Sequence, residues 1–313
     1  MSALFNRAFS FKGYDKNGKL IIEIDQNMNN KMSQQALRVV FNITQHTSMV
    51  NNIAEFTIFN CSDNTKSLLL MCTYFTFEAG YIGNTKLIFK GNNMNVFNQR
   101  PQPDTAHSIY CLDYIDYPIP VNLIIPTTMT DRQAIKTLGA ITPDLIVMDI
   151  NLHDLKDVPM QKNISLVNLT AWQAFQKLGL LLNLNFWQVN RVLYCSSTTD
   201  GSIPADSPKT ILNYNNGMLK SPVFDIANAG VNVQSLLNGQ LVPGTDVIIE
   251  TISPQVQYGA VNYAKFNQDA VTRGTWRIFQ TDHVGDSRGE AWFSELQAYS
   301  FQATIDGVIP VNE

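Results

Sequence analysis

Residues 37–44 read LRVVFNIT, and the stretch alternates. Leu37, Val39, Phe41 and Ile43 form one set; Arg38, Val40, Asn42 and Thr44 form the other. A strand points successive side chains to opposite faces, so one set is buried and the other meets solvent or a second layer. Working outward, Ala54, Phe56 and Ile58 repeat the pattern, as do Phe75, Phe77 and Ala79. Leu87 to Phe89 make a short apolar run that Lys90 and Gly91 end, and His107 to Tyr114 is a further strand. Turn residues cluster between these runs, at Asp15–Gly18, Asn60–Asn64, Gly80–Asn84 and Gln99–Asp104. Short strands at regular spacing predict a barrel or sandwich.

The pattern changes after Pro118 and Pro120. Thr130 with Gln133, and Thr170 with Gln173, each form a capping box, in which two side chains satisfy backbone N–H groups that the first helical turn leaves unpaired. Ala134, Leu138 and Ile141 share one face of the first helix, which Pro143 ends; Trp172, Phe175, Leu178 and Leu182 line the second. A hairpin follows, Asn185 to Val189 and Val192 to Cys195, turning at Asn190-Arg191, a weaker turn signal than Asn-Gly. Asp200 to Pro208 reads as a linker. The last third is β again: Val247 to Ile249 with Ile252, then Trp276, Ile278 and Gln280 alternating with Arg277, Phe279 and Thr281. Trp292, Ser294, Leu296 and Ala298 oppose Phe293, Glu295, Gln297 and Tyr299. The expected fold class is α+β, dominated by β structure. The expected division is a β unit over 1–118, an α+β unit over 119–205 and a β unit over 206–313.

Composition narrows the function. The chain has 313 residues and is 45% hydrophobic but only 15% charged. So little charge fits a surface covered by partners, and it equally fits a compositional bias toward Asn. A net charge of -4 without any Lys/Arg run argues against electrostatic or sequence-specific nucleic-acid binding. Cys61, Cys72, Cys111 and Cys195 lie far apart, with no zinc-like spacing and no disulfide pattern; buried free thiols are expected. The sequons at Asn42, Asn60, Asn163 and Asn168 matter only in a secreted chain. No signal-peptide core and no apolar run of membrane-spanning length occurs, so no stable membrane insertion is expected.

No nucleotide-binding, nucleophile-elbow or zinc-protease motif is present, and no cofactor is implied. His46, His107, His153 and His283 are dispersed, and each reads as structural. His283, with Asp282 and Asp286, looks most like a site. The competing reading is a polar turn between two strands over Thr281–Gly289, with Arg288 able to pair an acid. The carboxylates nominate no acid/base pair.

Three segments in order carry a resemblance. IAEFTIFN leads to FTFEAGYIGNTKLIFKGN, with Gly80 and Gly91. NLTAWQAFQKLGLLLNLNFWQVNRVLYCSS follows. The third runs from NNGMLKSPVFDIANAGVNVQSLLNGQLVPGTDVIIE to GTWRIFQTDHVGDSRGEAWFSELQA. It contains Gly230, Val231, Leu236, Leu237, Asn238, Pro243 and Gly244, then His283, Gly285, Asp286 and Trp292. Together these resemble the central baseplate hub protein of contractile-tailed bacteriophages, including Mu-type and related phages. Ala227, Asn228 and Ala229 depart from the family pattern, which often has a glycine before the Gly-Val.

The resemblance implies two tube-like antiparallel β-barrel domains flanking a small α+β domain. It implies a structural, non-enzymatic homotrimer that joins the sixfold tail tube ring to the threefold trimeric spike, around the DNA passage. Other baseplate or wedge proteins would be further partners. The protein would be assembled in the host bacterial cytoplasm and reside in the virion tail. The residues Gly80, Gly91, Gly230, Val231, Asn238, Pro243, Gly244, His283, Gly285, Asp286 and Trp292 would be structural signature positions. The alternatives are another tube-domain component, such as a distal tail or spike-complex protein, or a hub-associated cell-wall hydrolase.

Overall fold

The alternation at 37–44 is realised in a strand whose Val39, Phe41 and Ile43 are buried and whose Asn42 is exposed. A computed structural model describes residues 6–26, 37–48, 50–99, 104–113, 120–141, 146–147, 159–197, 210–225, 230–257 and 273–299. Its first β region contains β1 (Arg7–Tyr14), β2 (Leu20–Gln26), β3 (Val39–His46), β4 (Asn52–Phe59), helix α1 (Asp63–Met71), β5 (Tyr74–Tyr81), β6 (Asn84–Gln99) and β7 (Ala106–Asp113). The mixed region contains β8 (Val121–Ile125), α2 (Asp131–Ala140), β9 (Ile146–Val147), β10 (Ile164–Leu169), α3 (Ala171–Leu182), β11 (Leu184–Val189) and β12 (Val192–Ser197). The last region contains β13 (Thr210–Leu212), β14 (Val223–Asp225), β15 (Gly230–Leu236), β16 (Asp246–Glu250), β17 (Gln255–Gln257), β18 (Arg273–Asp286) and β19 (Trp292–Tyr299).

Both β regions share one 14-stranded sheet, in the order β17-β14-β15-β19-β18-β3-β4-β7-β6-β5-β1-β2, with β16 and β13 attached beside β18. β18 makes the join. Residues Arg273 to Arg277 pair with β16, and Gln280 to Asp286 pair with β3. β19 lies along its other edge.

Three cores lie behind these elements. The first is phenylalanine-rich, built from Phe9, Phe11, Phe41, Phe56, Phe75, Phe77 and Phe89, and Leu237 and Trp292 from the last region enter it. The second lies between α2, α3 and the strands β8, β10, β11 and β12. The third includes Phe224, Val231, Val233, Val247, Ile249, Trp276 and Leu296.

Both capping boxes form as expected, at Thr130/Gln133 and Thr170/Gln173. The hairpin also forms, and Asn190 and Arg191 both adopt positive φ, at 56° and 64°.

Five expectations change. β6 does not end at Lys90-Gly91 but runs on to Gln99, bulging between Asn93 and Asn95. A side chain at Gly91 would meet the Phe89 ring and the Leu112 carbonyl, so glycine here allows strands to approach rather than stopping one. The polar cluster Asn60–Asn64 opens a helix: Ser62 caps α1 by accepting from the Thr65 N–H. Ile252 lies past the end of β16 and is fully exposed. Gln280 does not share a face with Trp276 and Ile278, because a bulge between Ile278 and Gln280 reverses the alternation and turns Thr281, His283 and Gly285 inward. Thr281 to Asp286 are therefore strand, and the turn begins at Ser287. Pro143, His153, the Asp200–Pro208 linker and Ala227 to Ala229 lie outside the described residues.

Candidate functional site: an outward sheet face and the seam behind it

The shared sheet has a core side and an outward side. On the outward side, register places Glu55 of β4 opposite Asn42 of β3, Thr44 opposite Asp282 of β18, and Asp282 opposite Glu295 of β19. Glu295 in turn faces Gln234 of β15, and Glu55 faces Tyr110 of β7. Six adjacent strands thus present one face about 25 Å wide. Its central carboxylates, Glu55, Asp282 and Glu295, have neutral described partners. Thr44 Oγ1 and Gln280 Nε2 donate to Asp282 at 2.6 and 2.8 Å. Gln234 Nε2 donates to Glu295 at 2.8 Å. The Tyr110 hydroxyl donates to Glu55, which pushes the phenol's pKa up.

The arginines at the margins of this face are already neutralised. Arg38 makes two hydrogen bonds to Asp286, at 3.1 and 2.6 Å, and stacks over Phe59 at 4.7 Å. Arg277 pairs with Asp246 at 3.0 Å. Asp282 and Glu295 are direct cross-strand neighbours of like charge, an arrangement that costs stability. The face carries these carboxylates among Asn42, Thr44 and Gln234 and also the apolar Ile53, Leu112, Val284 and Phe293, and it runs from the first β region into the last.

Behind it lies a seam that gathers Gly80, His283, Gly285, Asp286 and Trp292. The Trp292 ring meets Phe41 edge-on at 5.3 Å, Arg7 lies over it at 5.5 Å, and its Nε1 donates to the Gly80 carbonyl at 3.1 Å. Gly285 lets Phe41 and Trp292 close over the backbone, since a Cβ there would sit 2.3 Å from Phe41 Cζ. Asp286 accepts the Arg38 pair and the Arg288 N–H. Arg288 thus reaches it through its backbone, while Arg38 supplies the ion pair. Burial raises the Asp286 pKa, but these donors outweigh it and hold the carboxyl below its ordinary value.

His283 is fully buried, and its Nδ1 lies 2.8 Å from Ser294 Oγ, which also accepts the Asn238 N–H. Burial pushes its pKa down to about 3, so the ring is neutral. Asp282 points to the opposite side of the sheet and Asp286 engages Arg38, so the three do not assemble into a site. Val231 is in the third core, and Gly230 pairs with Asp225 and Tyr299.

Pro243 and Gly244 serve a different junction. The Trp187 Nε1 of β11 donates to the Pro243 carbonyl at 3.2 Å, and the Trp187 ring lies flat on Tyr194 at 5.6 Å. Gly244 has φ +91°, and a Cβ there would lie 2.3 Å from the Trp187 ring. The same hairpin reaches the first β region through Asn52, Asp113 and Asn92.

The thiols of Cys61, Cys72, Cys111 and Cys195 are free. Burial raises Cys61 and Cys72 to about 11 and Cys195 to about 12, and it raises Cys111 further, so all four are protonated and unreactive near neutral pH. Among the described residues, no group of three His, Cys, Asp or Glu is placed to hold a metal ion, and no helix is long and apolar enough to cross a membrane.

Sequence reasoning did not single out Glu55, Glu295 or Asp113, and it read Arg191 only as a turn residue. The outward parity of both glutamates was visible in the alternation, but the ladder that places them together was not.

This architecture is the fold of phage tail proteins. No family model and no curated protein matches the chain. Among solved structures, it is similar to a tail protein from Neisseria meningitidis MC58, with a TM-score of 0.55, 12% identity, and coverage of 98% of this chain and 100% of that one. The 43 kDa tail protein of prophage MuSo2 from Shewanella oneidensis gives a TM-score of 0.57 at 8% identity, over 95% and 99% of the two chains. A chain of the Francisella PdpA-VgrG complex gives 0.52 at 9% identity, over 96% of this chain and 59% of that one.

Proposed function

We propose that this chain is a structural, non-enzymatic hub subunit of a contractile phage tail baseplate. It closes as a homotrimer, adapts the sixfold tail tube to the threefold spike, and surrounds the DNA passage in the virion tail. The observation that carries this reading is the unbroken outward face, acidic at its centre and neutralised at its margins. Such a face repels phosphate at its centre and offers no free cation at its described margins, so DNA can slide past without binding. Two β units over 1–118 and 206–313 would give three subunits six similar arcs, which reconciles threefold with sixfold symmetry. Each subunit then meets the next through two different patches, as ring closure requires. The signature positions hold the two β units at a fixed angle: Gly80, Gly285, Asp286 and Trp292 sit at the seam, and Pro243 and Gly244 brace the middle unit.

The likeness to a chain of the PdpA-VgrG complex supports a second reading, a spike-complex component built on the same fold. Mass measurement of the purified species at high concentration tests the hub, together with electron microscopy of assembled tails. A trimer lying between tube and spike is expected. A persistent monomer that never enters particles would overturn the hub, and a hexameric ring would favour another tube-domain component.

A further inference from the structure

The tip of the β11–β12 hairpin enters the first β region beside the end of β7. Asp113, the last residue of β7, is 1% exposed. Its Oδ1 accepts from Gln188 Nε2 at 2.6 Å and from the Arg191 N–H at 3.0 Å. Its Oδ2 is buried with no hydrogen-bond partner. Around it, Asn52 donates to the Gln188 carbonyl, and the Lys90 N–H donates to Asn190 Oδ1 at 2.9 Å.

The turn itself is unusual. Asn190 and Arg191 both hold left-handed backbone, which Asn tolerates and Arg does not favour. Asp113 binds the N–H of that arginine and so helps fix the turn.

Among the described residues, no cationic side chain pairs with the carboxylate. The Arg191 guanidinium donates to Asn92 Oδ1 and lies 4.7 Å over the Tyr74 ring. The other ionisable groups on the packed strands are His107, Tyr110 and Cys111 of β7, Glu55 of β4, Lys86 and Lys90 of β6, His46 of β3, and Tyr194 and Cys195 of β12. The Tyr194 phenol is pushed up by burial and by Asp113. His46 is engaged through its backbone by Asn52 and through Nδ1 by Ser48.

We propose that Asp113 is a proton-linked latch. It docks the middle hairpin on the first β unit best as a neutral carboxylic acid, so docking tightens as the pH falls from neutral and loosens as the proton leaves to solvent. A charged Asp113 satisfies Oδ1 but, among the described residues, leaves Oδ2 buried without a hydrogen bond of good geometry or a paired cation, which is costly. Protonation removes that charge and keeps both hydrogen bonds to Oδ1. Burial raises this carboxyl to about 6, against the opposing pull of Arg191, Gln188, Asn190 and Asn52. The sign follows: the docked value lies above the ordinary one near 4, so the docked state binds the proton more tightly and gains stability as pH falls through 6. This inference is independent of the proposed function.

Hydrogen exchange of the β11–β12 amides tests it, in the wild-type chain and in Asp113→Asn at matched pH. Asparagine stays neutral, so its opening constant serves as the reference and cancels other titrations. The wild-type protection relative to Asp113→Asn is expected to rise about tenfold between pH 7.5 and pH 5. A ratio that does not change with pH overturns the latch. Should Asp113→Asn fail to fold, 13C carboxyl titration of the wild-type chain decides. An aspartate with a midpoint near 6 supports the latch, and midpoints all below about 5 overturn it.

Discussion

At the scale of single residues, His283 makes folding sensitive to acid. It is neutral in the fold, held by burial at about 3, whereas the unfolded chain binds its proton near 6.5. The unfolded state therefore takes up a proton first, and stability falls as pH drops below about 6.5. By pH 5 this one residue should cost about 2 kcal/mol relative to pH 7.5. His283→Gln should flatten that slope in urea denaturation, even though losing the Ser294 contact lowers stability at neutral pH. An unchanged slope would mean the ring is accessible to protons in the fold. Asp286 acts in the same direction, since a depressed carboxylate loses its contribution as pH falls through its folded value. With Arg38 41% exposed, that pair is worth about 1 kcal/mol or less.

Among elements, β18 carries the most structural information and was the hardest to read. Its alternation was visible, but a bulge at Ile278–Gln280 reverses it, and nothing in a stretch of β-formers marks where an extra residue is inserted. The bulge lets one strand serve the third core with Trp276 and Ile278, and then line the seam with Thr281, His283 and Gly285. It also sets Asp282 directly against Glu295. Glu295→Lys should replace repulsion with attraction and stabilise the chain by about 0.5 kcal/mol. A chemical-denaturation midpoint that falls instead would show that the Gln234 hydrogen bond outweighs the repulsion. The sequence alone revealed about half of the strands, the two helices with capping boxes and the hairpin, because those depend on local periodicity and caps. The fusion of both β regions into one sheet was not legible, since the β18–β3 pairing joins residues about 240 positions apart. Helix α1 was missed because its apolar residues are mostly exposed, with only Leu69 fully buried, so no amphipathic stripe announces it.

For the whole molecule, the outward face connects the fold to the proposed passage of DNA. Three carboxylates within four adjacent strands, each held by a neutral donor, keep a negative field at the centre of the face. A face shaped only for stability would alternate signs across neighbouring strands, because opposite charges attract and like charges repel there. The combined variant Glu55→Lys, Asp282→Lys and Glu295→Lys reverses the field while leaving the three cores and the seam intact. Three subunits in a ring would then present roughly nine new cations to the passage. The assembled wild-type chain should show no binding to duplex DNA at low salt. The assembled variant should bind it, with an affinity that falls steeply as salt rises, the mark of counterion release from phosphate. In assembled tails, the variant should slow or block DNA passage without reducing particle number. If reversed charge leaves passage unchanged, the acidic face lies outside the channel, and the orientation of the subunit in the ring must be turned over.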